Sequence, residues 1–315
     1  MNLPLPYISG PGEITNDDYH NSPEYLEAIS SSKLVDYMIS PKYARYQVLN
    51  PEEKKRTPAM LEGTVYHDRM ESLVNHTFFR WLKFDGPINE RTGEPYGMNT
   101  KAFETAMSDF ISDNPGVNVC PEYVLLMVDA MVKELDENKD IQTIIKIGAA
   151  EQSHFVEYEG VYFKYRTDVK TAKRIIDWKT CNLGDPRPDQ FARKIADYNY
   201  HIKAAFYQFF EHQITGLWKR FYWVAQEKQP PYDFNIISAD EWAFEPINGG
   251  QDVIMHTGAV AFMKLLDLHI DCTRKQKWPG YACFIQPDFV GRRIAHEPVP
   301  MWIEKKSEFN VWEIE

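Results

Sequence analysis

Three residues whose types could do chemistry together lie in one short stretch of the chain, YRTDVKTAKRIIDWKT. Asp168 precedes a polar turn at residues 170–173, and Asp177 and Lys179 follow that turn. If the turn joins antiparallel strands, the two carboxylates lie near each other on its two sides, and strand alternation puts Lys179 on the face of Asp177. The pattern therefore predicts two carboxylates and an amine that converge on one point.

Paired carboxylates beside an amine are suited to metal-assisted hydrolysis of a phosphodiester. Mg²⁺ is a hard cation that prefers oxygen ligands and keeps water or substrate phosphate in its other positions. A neighbouring lysine can orient the attacking water, while the ion polarises the phosphate. An isolated Asp-x-Lys triplet is more often a surface charge or a hairpin ion pair, such as Asp177 with Lys170, so the prediction depends on the surrounding strands.

The residues around the triplet have the pattern of a three-stranded meander. The stretch SHFVEYEGVYFKYRTDVKTAKRIIDWKT, residues 153–180, reads as three strands with turns at Glu159-Gly160 and at 170–173. The next stretch, DQFARKIADYNYHIKAAFYQFFEHQIT, has apolar residues at helical spacing. It predicts one long helix over residues 189–215, capped by Asp189.

Further helices and strands complete the predicted fold. Ser31 or Ser32 can cap a helix that stops near Ser40-Pro41, and Thr57-Pro58 opens a second helix. Other expected elements are helices near 101–112, before residue 140 and at 258–273, and strands at 220–227 and 232–239. This order predicts an α/β or α+β fold with a mixed central sheet flanked by helices.

Composition and charge exclude several classes of protein. The 315 residues are 43% hydrophobic and 26% charged, which is typical of a globular chain and excludes a disordered one. The net charge of −11 argues against a protein that coats nucleic acid with its whole surface. Residues 164–203, however, hold ten Lys or Arg and five Asp; this segment is +5 and the rest is −16. It could bind an anionic substrate, or it could be a solvated charged face.

Cysteine usage and hydropathy give two further expectations. The four cysteines, at positions 120, 181, 272 and 283, have no CxxC spacing, so neither a disulfide framework nor a zinc ribbon is indicated. No run approaches the roughly 18 apolar residues of a membrane helix. The first residues lack the basic and apolar regions of a secretory signal. We therefore expect a cytoplasmic protein that does not engage a membrane.

Taken together, several segments resemble the PD-(D/E)xK nucleases, and within them the exodeoxyribonuclease VIII (RecE-type) exonucleases of phages and prophages. The resemblance covers roughly residues 14–303. It is carried by the core around IIDWKT and by these segments: ITNDDYH, ISSSKLVDYMISPKYARYQ, LEGTVYHDRMES, AEQSHFVEYEGVYFKYRTDVK, YNYHIKAAFY, KWPGYA and VPMWIEK. It implies a single nuclease domain over 1–315, with an N-terminal helical segment at 1–80 and the catalytic core and C-terminal part at 150–303.

The resemblance implies a role for each residue of the triplet. Asp168 and Asp177 would bind the metal ion together with the backbone carbonyl of Trp178. Lys179 would position the nucleophilic water.

Two residues outside the triplet acquire catalytic roles through the same resemblance. His67 would reach the metal from the helix that begins at Pro58, and Glu151 is the acidic residue just before the first strand. From the residues alone, His67 could equally be a partly buried helix histidine and Glu151 a solvated carboxylate.

One position departs from the family pattern. Related nucleases carry a glutamine four residues before a tyrosine on the helix after the core, whereas Lys203 precedes Tyr207 here. Because residues four apart share a helix face, the lysine could bind phosphate where glutamine would hydrogen-bond. Candidate DNA contacts are Arg166, Lys173, Lys194, Lys203 and Tyr207.

The activity that the resemblance implies is a Mg²⁺-dependent exodeoxyribonuclease, with Mn²⁺ able to substitute. Such an enzyme digests linear double-stranded DNA 5′→3′ and leaves 3′ single strands for a single-strand annealing recombinase. A ring-shaped homo-oligomer in the cytoplasm of a bacterium or phage-infected host is implied too.

Three alternatives differ in class from this reading. A Cas4-like nuclease would hold an iron–sulfur cluster on four cysteines with a closely spaced set, which this sequence lacks. An endonuclease of the same superfamily would cut without a DNA end. A DNA-end-binding protein with an inactive nuclease fold is disfavoured because both aspartates and Lys179 are present.

Overall fold

A central sheet of six strands separates two groups of helices in the computed structural model, which describes residues 5–10, 13–51 and 57–280. The strands of the described residues are β1 Tyr7–Ile8, β2 Trp81–Lys83, β3 Asn118–Cys120, β4 Ala149–Tyr158, β5 Val161–Lys170, β6 Arg174–Cys181, β7 Arg220–Glu227, β8 Phe234–Ser238, β9 Phe244–Ile247 and β10 Asp252–Met255. The main sheet has the order β1-β4-β5-β6-β7-β8, and β6–β7 is its parallel pair. The predicted mixed sheet and its three-stranded meander are confirmed.

The helices cover both faces of this sheet. They are α1 Asn16–Asn21, α2 Ser31–Val35, α3 Pro41–Leu49, α4 Pro58–Val74, α5 Lys101–Asp113, α6 Glu122–Asp136, α7 Lys139–Ile147, α8 Pro188–Asp197, α9 Tyr200–Thr215 and α10 Thr257–Lys275. Short 3₁₀ turns lie at Pro23–Tyr25, Asp36–Met38 and Asn248–Gly250. None of the described helices is long and apolar enough to cross a membrane.

Each face of the sheet has its own hydrophobic core. On one face α9 and α10 pack on the sheet through Phe206, Phe210 and Phe262. On the other face α4 and α6 pack on Trp178 and Val224. Burying an aromatic or large aliphatic side chain contributes about 1.5–3 kcal/mol, so these two cores hold the helices in fixed positions over the sheet.

The predicted start of α4 is confirmed. Thr57 is the N-cap, its side-chain oxygen accepts the backbone N–H of Met60 at 3.2 Å, and Pro58 is the first helical residue. A capped first turn and a buried apolar stripe fix α4 against the sheet. His67 therefore has a defined position above the strands.

The predicted single helix over residues 189–215 is wrong, because the chain forms two helices there. Asn199 adopts a left-handed backbone with φ 54° between α8 and α9. Asparagine tolerates this conformation better than most residues. The predicted cap is wrong too, since Arg187 is the N-cap of α8 and Pro188 its first residue. Tyr198, which precedes the break, has a side chain that is 61% exposed.

Several short strands have no counterpart in the sequence prediction. The β9–β10 hairpin and the parallel β2–β3 pair lie outside the main sheet. Strand β1 adds an edge next to β4. Two- to four-residue strands carry too little periodicity to be read from sequence, and their pairing is decided by distant partners.

The described cysteines give no sign of a metal cluster. Cys120, Cys181 and Cys272 are buried in the hydrophobic cores, and none of them belongs to a group of potential metal ligands within the described part of the chain. Cys283, like the KWPGYA-to-VPMWIEK segment beyond residue 280, lies outside the described residues.

A buried group of charges joins α9 to the sheet. The carboxylate of Glu211, which is fully buried, lies 2.9 Å from the Nζ atoms of Lys170 and Lys219 and 3.1 Å from Nε2 of His154. The Tyr165 hydroxyl donates to it at 3.0 Å. Burial alone would raise the pKa of Glu211, but His154 and the two lysines outweigh it and hold the pKa well below its usual range.

We predict that Glu211→Ala lowers the free energy of unfolding by about 3–5 kcal/mol, because it leaves Lys170 and Lys219 buried without their counter-charge. Urea unfolding measures the change. Glu134→Ala, which removes an exposed glutamate from α6, is the matched control and should change stability little. Equal stabilities of the Glu211→Ala and Glu134→Ala proteins would contradict the prediction.

The same carboxylate predicts a pH dependence of stability. Since its folded-state pKa is depressed, its contribution is complete above the unfolded-state value of about 4.3 and is lost as the pH falls below it. The difference in free energy of unfolding between wild type and Glu211→Gln should therefore be largest near neutral pH. Urea titrations at decreasing pH should show this difference shrinking below about pH 4; a constant difference would show that the charge of Glu211 is not its source.

Candidate active site

Three carboxylates form a row across three adjacent strands of the sheet. Continuing the register of β4 with β5 by one residue places Glu151 opposite Asp168, and continuing that of β5 with β6 places Asp168 opposite Asp177. The backbone ladder between β5 and β6 ends at Val169 and Ile176, directly before this row. The strands separate where the acidic side chains meet.

The backbone around the row adjusts in two ways. The Asp168 carboxylate accepts the backbone N–H of Trp178 at 2.8 Å, which replaces a lost ladder hydrogen bond. Glu151 has a left-handed backbone, with φ 53°. This conformation costs a non-glycine residue roughly 1–2 kcal/mol and persists where the surrounding structure holds it. Both features are typical of a site in which side-chain placement takes precedence over regular pairing.

Helix α4 brings His67 to the same place. Its Nδ1 atom lies 3.5 Å from a carboxylate oxygen of Asp168 and 3.9 Å from one of Glu151. One ligand atom from each of the three residues lies within 4.8 Å of the others. The structure therefore brings together a nitrogen and two oxygen donors that could bind one metal ion.

Arg166 holds Glu151 in this group. Its Nε donates to the carboxylate at 2.6 Å, and another guanidinium nitrogen donates to the carbonyl of Ile14 at 3.2 Å. Burial would raise the pKa of Glu151, but His67 and Arg166 lower it below its usual range. Burial likewise would lower the pKa of His67, but Asp168 and Glu151 outweigh it and raise that pKa.

The third carboxylate, Asp177, lies between two ammonium groups. It is 1% exposed, Lys203 donates to it at 2.5 Å, and Lys179 forms a second ion pair with it. These lysines outweigh the effect of burial and lower the pKa of Asp177. Burial and the charge of Asp177 instead raise the pKa of Asp168. The environments of the two aspartates therefore shift their pKa values in opposite directions.

The five residues that were predicted to be catalytic, from the sequence and its resemblance to nucleases, thus lie close together in the structure. They form two subgroups. His67, Glu151 and Asp168 form the donor group, while Asp177 and Lys179 form an ion pair beside it. The carbonyl of Trp178 accepts a hydrogen bond from Lys179 at 3.3 Å, and its indole lies in the core. Metal binding by Asp177 and by the Trp178 carbonyl stays a prediction.

The candidate DNA contacts lie in different environments. Tyr207 is buried, Arg166 is paired with Glu151 and Lys203 is paired with Asp177. Lys194 is partly exposed and lies 3.3 Å from an oxygen of Asp185, while Lys173 is exposed in the β5–β6 turn. Lys173 is therefore the most exposed of the five.

Two residues near the site escaped the sequence analysis. Glu71 follows His67 by one turn on the same face of α4, and burial together with Glu151 raises its pKa to about 7. The spacing of four residues from His67 could have predicted that Glu71 lies near the site. Tyr200 lies beneath Lys179, with Nζ 5.0 Å from its ring centroid; this contact depends on the break at Asn199 and has no local sequence signal.

A mixed sheet that carries two aspartates and a lysine at separating strands defines the PD-(D/E)xK nuclease fold. A family model described as a PDDEXK-like domain of unknown function (DUF3799) matches residues 30–286, so the chain belongs to this family. The fold is also similar to a crystal structure from Eubacterium rectale described as a "putative exonuclease". The two chains are 14% identical with a TM-score of 0.52, over 92% of this chain and 97% of the other. A search of curated proteins finds no match.

We predict that Asp168→Asn and Glu151→Gln each weaken Mn²⁺ or Mg²⁺ binding by about tenfold or more, since even partners of metal ligands typically cost 10–100-fold when changed. Lys179→Ala should weaken it less, because an ammonium group is not a ligand. Isothermal titration calorimetry measures the affinity, with Asp189→Asn as control because Asp189 is an exposed carboxylate outside the group. Unchanged affinity in both site variants would refute this donor set.

Proposed function

We propose that this protein is a Mg²⁺-dependent exodeoxyribonuclease that hydrolyses phosphodiester bonds of linear double-stranded DNA. The observation that carries the proposal is the row of Glu151, Asp168 and Asp177, with His67 beside the first two carboxylates and Lys179 beside the third. These side chains supply metal donors on one side and a fixed ammonium group on the other. Their arrangement supports hydrolysis of a phosphodiester better than a structural ion-pair network, which would need no donor triad.

The donor set fits a divalent cation. One ligand atom from each of two carboxylates and an imidazole lies within 4.8 Å of the others, and these are donor types that divalent cations accept. When bound, the ion would polarise the phosphate and lower the pKa of a water molecule. The imidazole is a softer donor than oxygen, which is compatible with Mn²⁺ in place of Mg²⁺.

Lys179 performs the second part of the chemistry in this proposal. Its ammonium group is held by Asp177 and the Trp178 carbonyl, and its side chain is 17% exposed. From this position it can orient the attacking water towards the phosphorus atom and stabilise negative charge as the water loses its proton. Lys203 holds Asp177 from the other side and so keeps the pair in place.

The finer parts of the proposal rest on the resemblance to RecE-type exonucleases. They are digestion 5′→3′, 3′ single strands as the product, a single-strand annealing recombinase as partner, and a ring-shaped homo-oligomer around the DNA. The neighbour from Eubacterium rectale described as a "putative exonuclease" supports the fold on which this resemblance depends.

We predict that linear duplex DNA is degraded in the presence of Mg²⁺ and that covalently closed circles survive. Lys179→Ala and Asp168→Ala should abolish hydrolysis while the melting temperature stays close to that of wild type, and chelation by EDTA should stop the wild-type reaction. Phosphorothioate linkages at only the 5′ or only the 3′ ends test polarity, since 5′ blocks alone should protect.

Each of the other possible outcomes would indicate a different activity of this protein. Cutting of closed circles at the rate of linear DNA would indicate an endonuclease. Protection by 3′ blocks alone would reverse the polarity. Binding of DNA ends without hydrolysis by the wild-type protein would indicate an inactive nuclease fold.

A further inference from the structure

A ladder of aromatic rings leads from the core of the protein to its surface. Trp223 and Phe191 are buried, with ring centroids 6.1 Å apart, and Phe191 lies 6.3 Å from the half-buried Tyr200. Tyr198 stacks on Tyr200 at 5.5 Å with an angle of 25° between the planes. The last ring is 61% exposed. The core thus supports an aromatic ring that is open to the solvent.

The ladder passes next to the proposed catalytic lysine. The Nζ atom of Lys179 is 5.0 Å from the ring centroid of Tyr200, on which Tyr198 stacks. The left-handed Asn199 between the two helices places both tyrosines on the same side. In an uninterrupted helix each residue is rotated by about 100° from the one before it, so the two tyrosines would point to different sides. The ladder therefore depends on the same break that the sequence prediction missed.

The tyrosines line a cavity of about 500 Å³ that Lys179 also lines. Lys194 and Lys228 provide two further ammonium groups. Lys194 lies 3.3 Å from Asp185, the one carboxylate of the described lining, and Lys228 lies 2.6 Å from Glu62 outside that lining. Lys194 is partly exposed and lies 6.0 Å above the Tyr198 ring. The volume of the cavity is within the range of small-molecule sites, and its lining combines flat aromatic faces with cations.

Positive charge and aromatic faces together are the chemistry that binds single-stranded nucleic acid, since cations attract the phosphates and every base has a π-face to stack on. A purely structural role explains Phe191 and Trp223, which are buried. It leaves the open face of Tyr198 without a function, because this ring contributes little to the core.

Resting on the proposed function, we propose that this cavity binds the terminal nucleotide of the digested strand, with its base stacked on Tyr198. Lys194 and Lys228 attract the adjoining phosphates, and Lys179 reaches the bond that is cut. Stacking accepts all four bases, so the subsite holds the nucleotide that is released without selecting a sequence.

The test compares Tyr198→Ala with wild type on two linear duplexes, one intact and one whose terminal nucleotides lack their bases on both strands. Single-turnover release of the first nucleotide gives kcat/KM. On intact DNA, Tyr198→Ala should lower kcat/KM about tenfold, mainly through KM, because stacking on an aromatic ring is commonly worth that factor or more. Removal of the bases should cost wild type about the same factor, and Tyr198→Ala should then lose nothing further.

Two variants serve as controls. Tyr198→Phe keeps the ring and should behave as wild type. Tyr46→Ala removes another exposed tyrosine, 55% exposed on α3 and outside the cavity lining, and should leave kcat/KM unchanged on both duplexes. The abasic comparison on wild type needs no substitution, so it decides the matter even if Tyr198→Ala folds poorly.

Failure of the inference and failure of the proposed function give different results. Wild-type protein that digests both duplexes equally well, or losses from Tyr198→Ala and from base removal that multiply, would overturn the stacking subsite and leave the nuclease proposal standing. Wild-type protein that cuts neither duplex would overturn both.

Discussion

The compensation of buried negative charge is the constraint on which this structure depends. Glu151, Asp168 and Asp177 lie side by side across three strands, and an uncompensated carboxylate in such a place would cost several kcal/mol. Arg166 pairs with the first carboxylate, and Lys179 and Lys203 pair with the last. Asp168, in the middle, receives one backbone N–H and the imidazole of His67. In the proposed function a cation would bind beside Asp168, so the residues that balance the buried charge would also serve the chemistry.

Helix α9 links this row to the rest of the core. Lys203, Tyr207 and Glu211 are spaced by four residues and so share one face of the helix. The first pairs with Asp177, the second packs on Tyr165 at 5.1 Å between ring centroids, and the third accepts bonds from Lys170 and Tyr165. One helix face thereby joins the proposed catalytic carboxylate to a second buried charge group. A shift of α9 would disturb both, so we regard the buried Glu211 group as a support of the site geometry.

The lysine at position 203 gains a physical explanation from these contacts. Lys203, at the position where the resemblance leads us to expect glutamine, donates to the carboxylate of Asp177 at 2.5 Å. A contact of Lys203 with DNA phosphates stays a prediction. The partner of the lysine is a carboxylate of the protein itself, so its charge is already balanced. Lys194, in the cavity beside the exposed Tyr198, is likewise paired with a carboxylate, that of Asp185 at 3.3 Å.

The sequence by itself determined the meander, the helix that begins at Pro58 and the convergence of Asp168, Asp177 and Lys179. Those features follow from alternation, capping and a short turn, which are local. Only the tertiary structure decided that His67 and Glu151 join Asp168, that Lys203 and Arg166 turn inward, and that Tyr198 is exposed. These outcomes depend on contacts between residues 15 to more than 100 positions apart and on one left-handed asparagine. Neither long-range contacts nor a single residue with positive φ leaves a periodic pattern in the sequence. Periodicity reports only which face of a regular helix or strand is apolar.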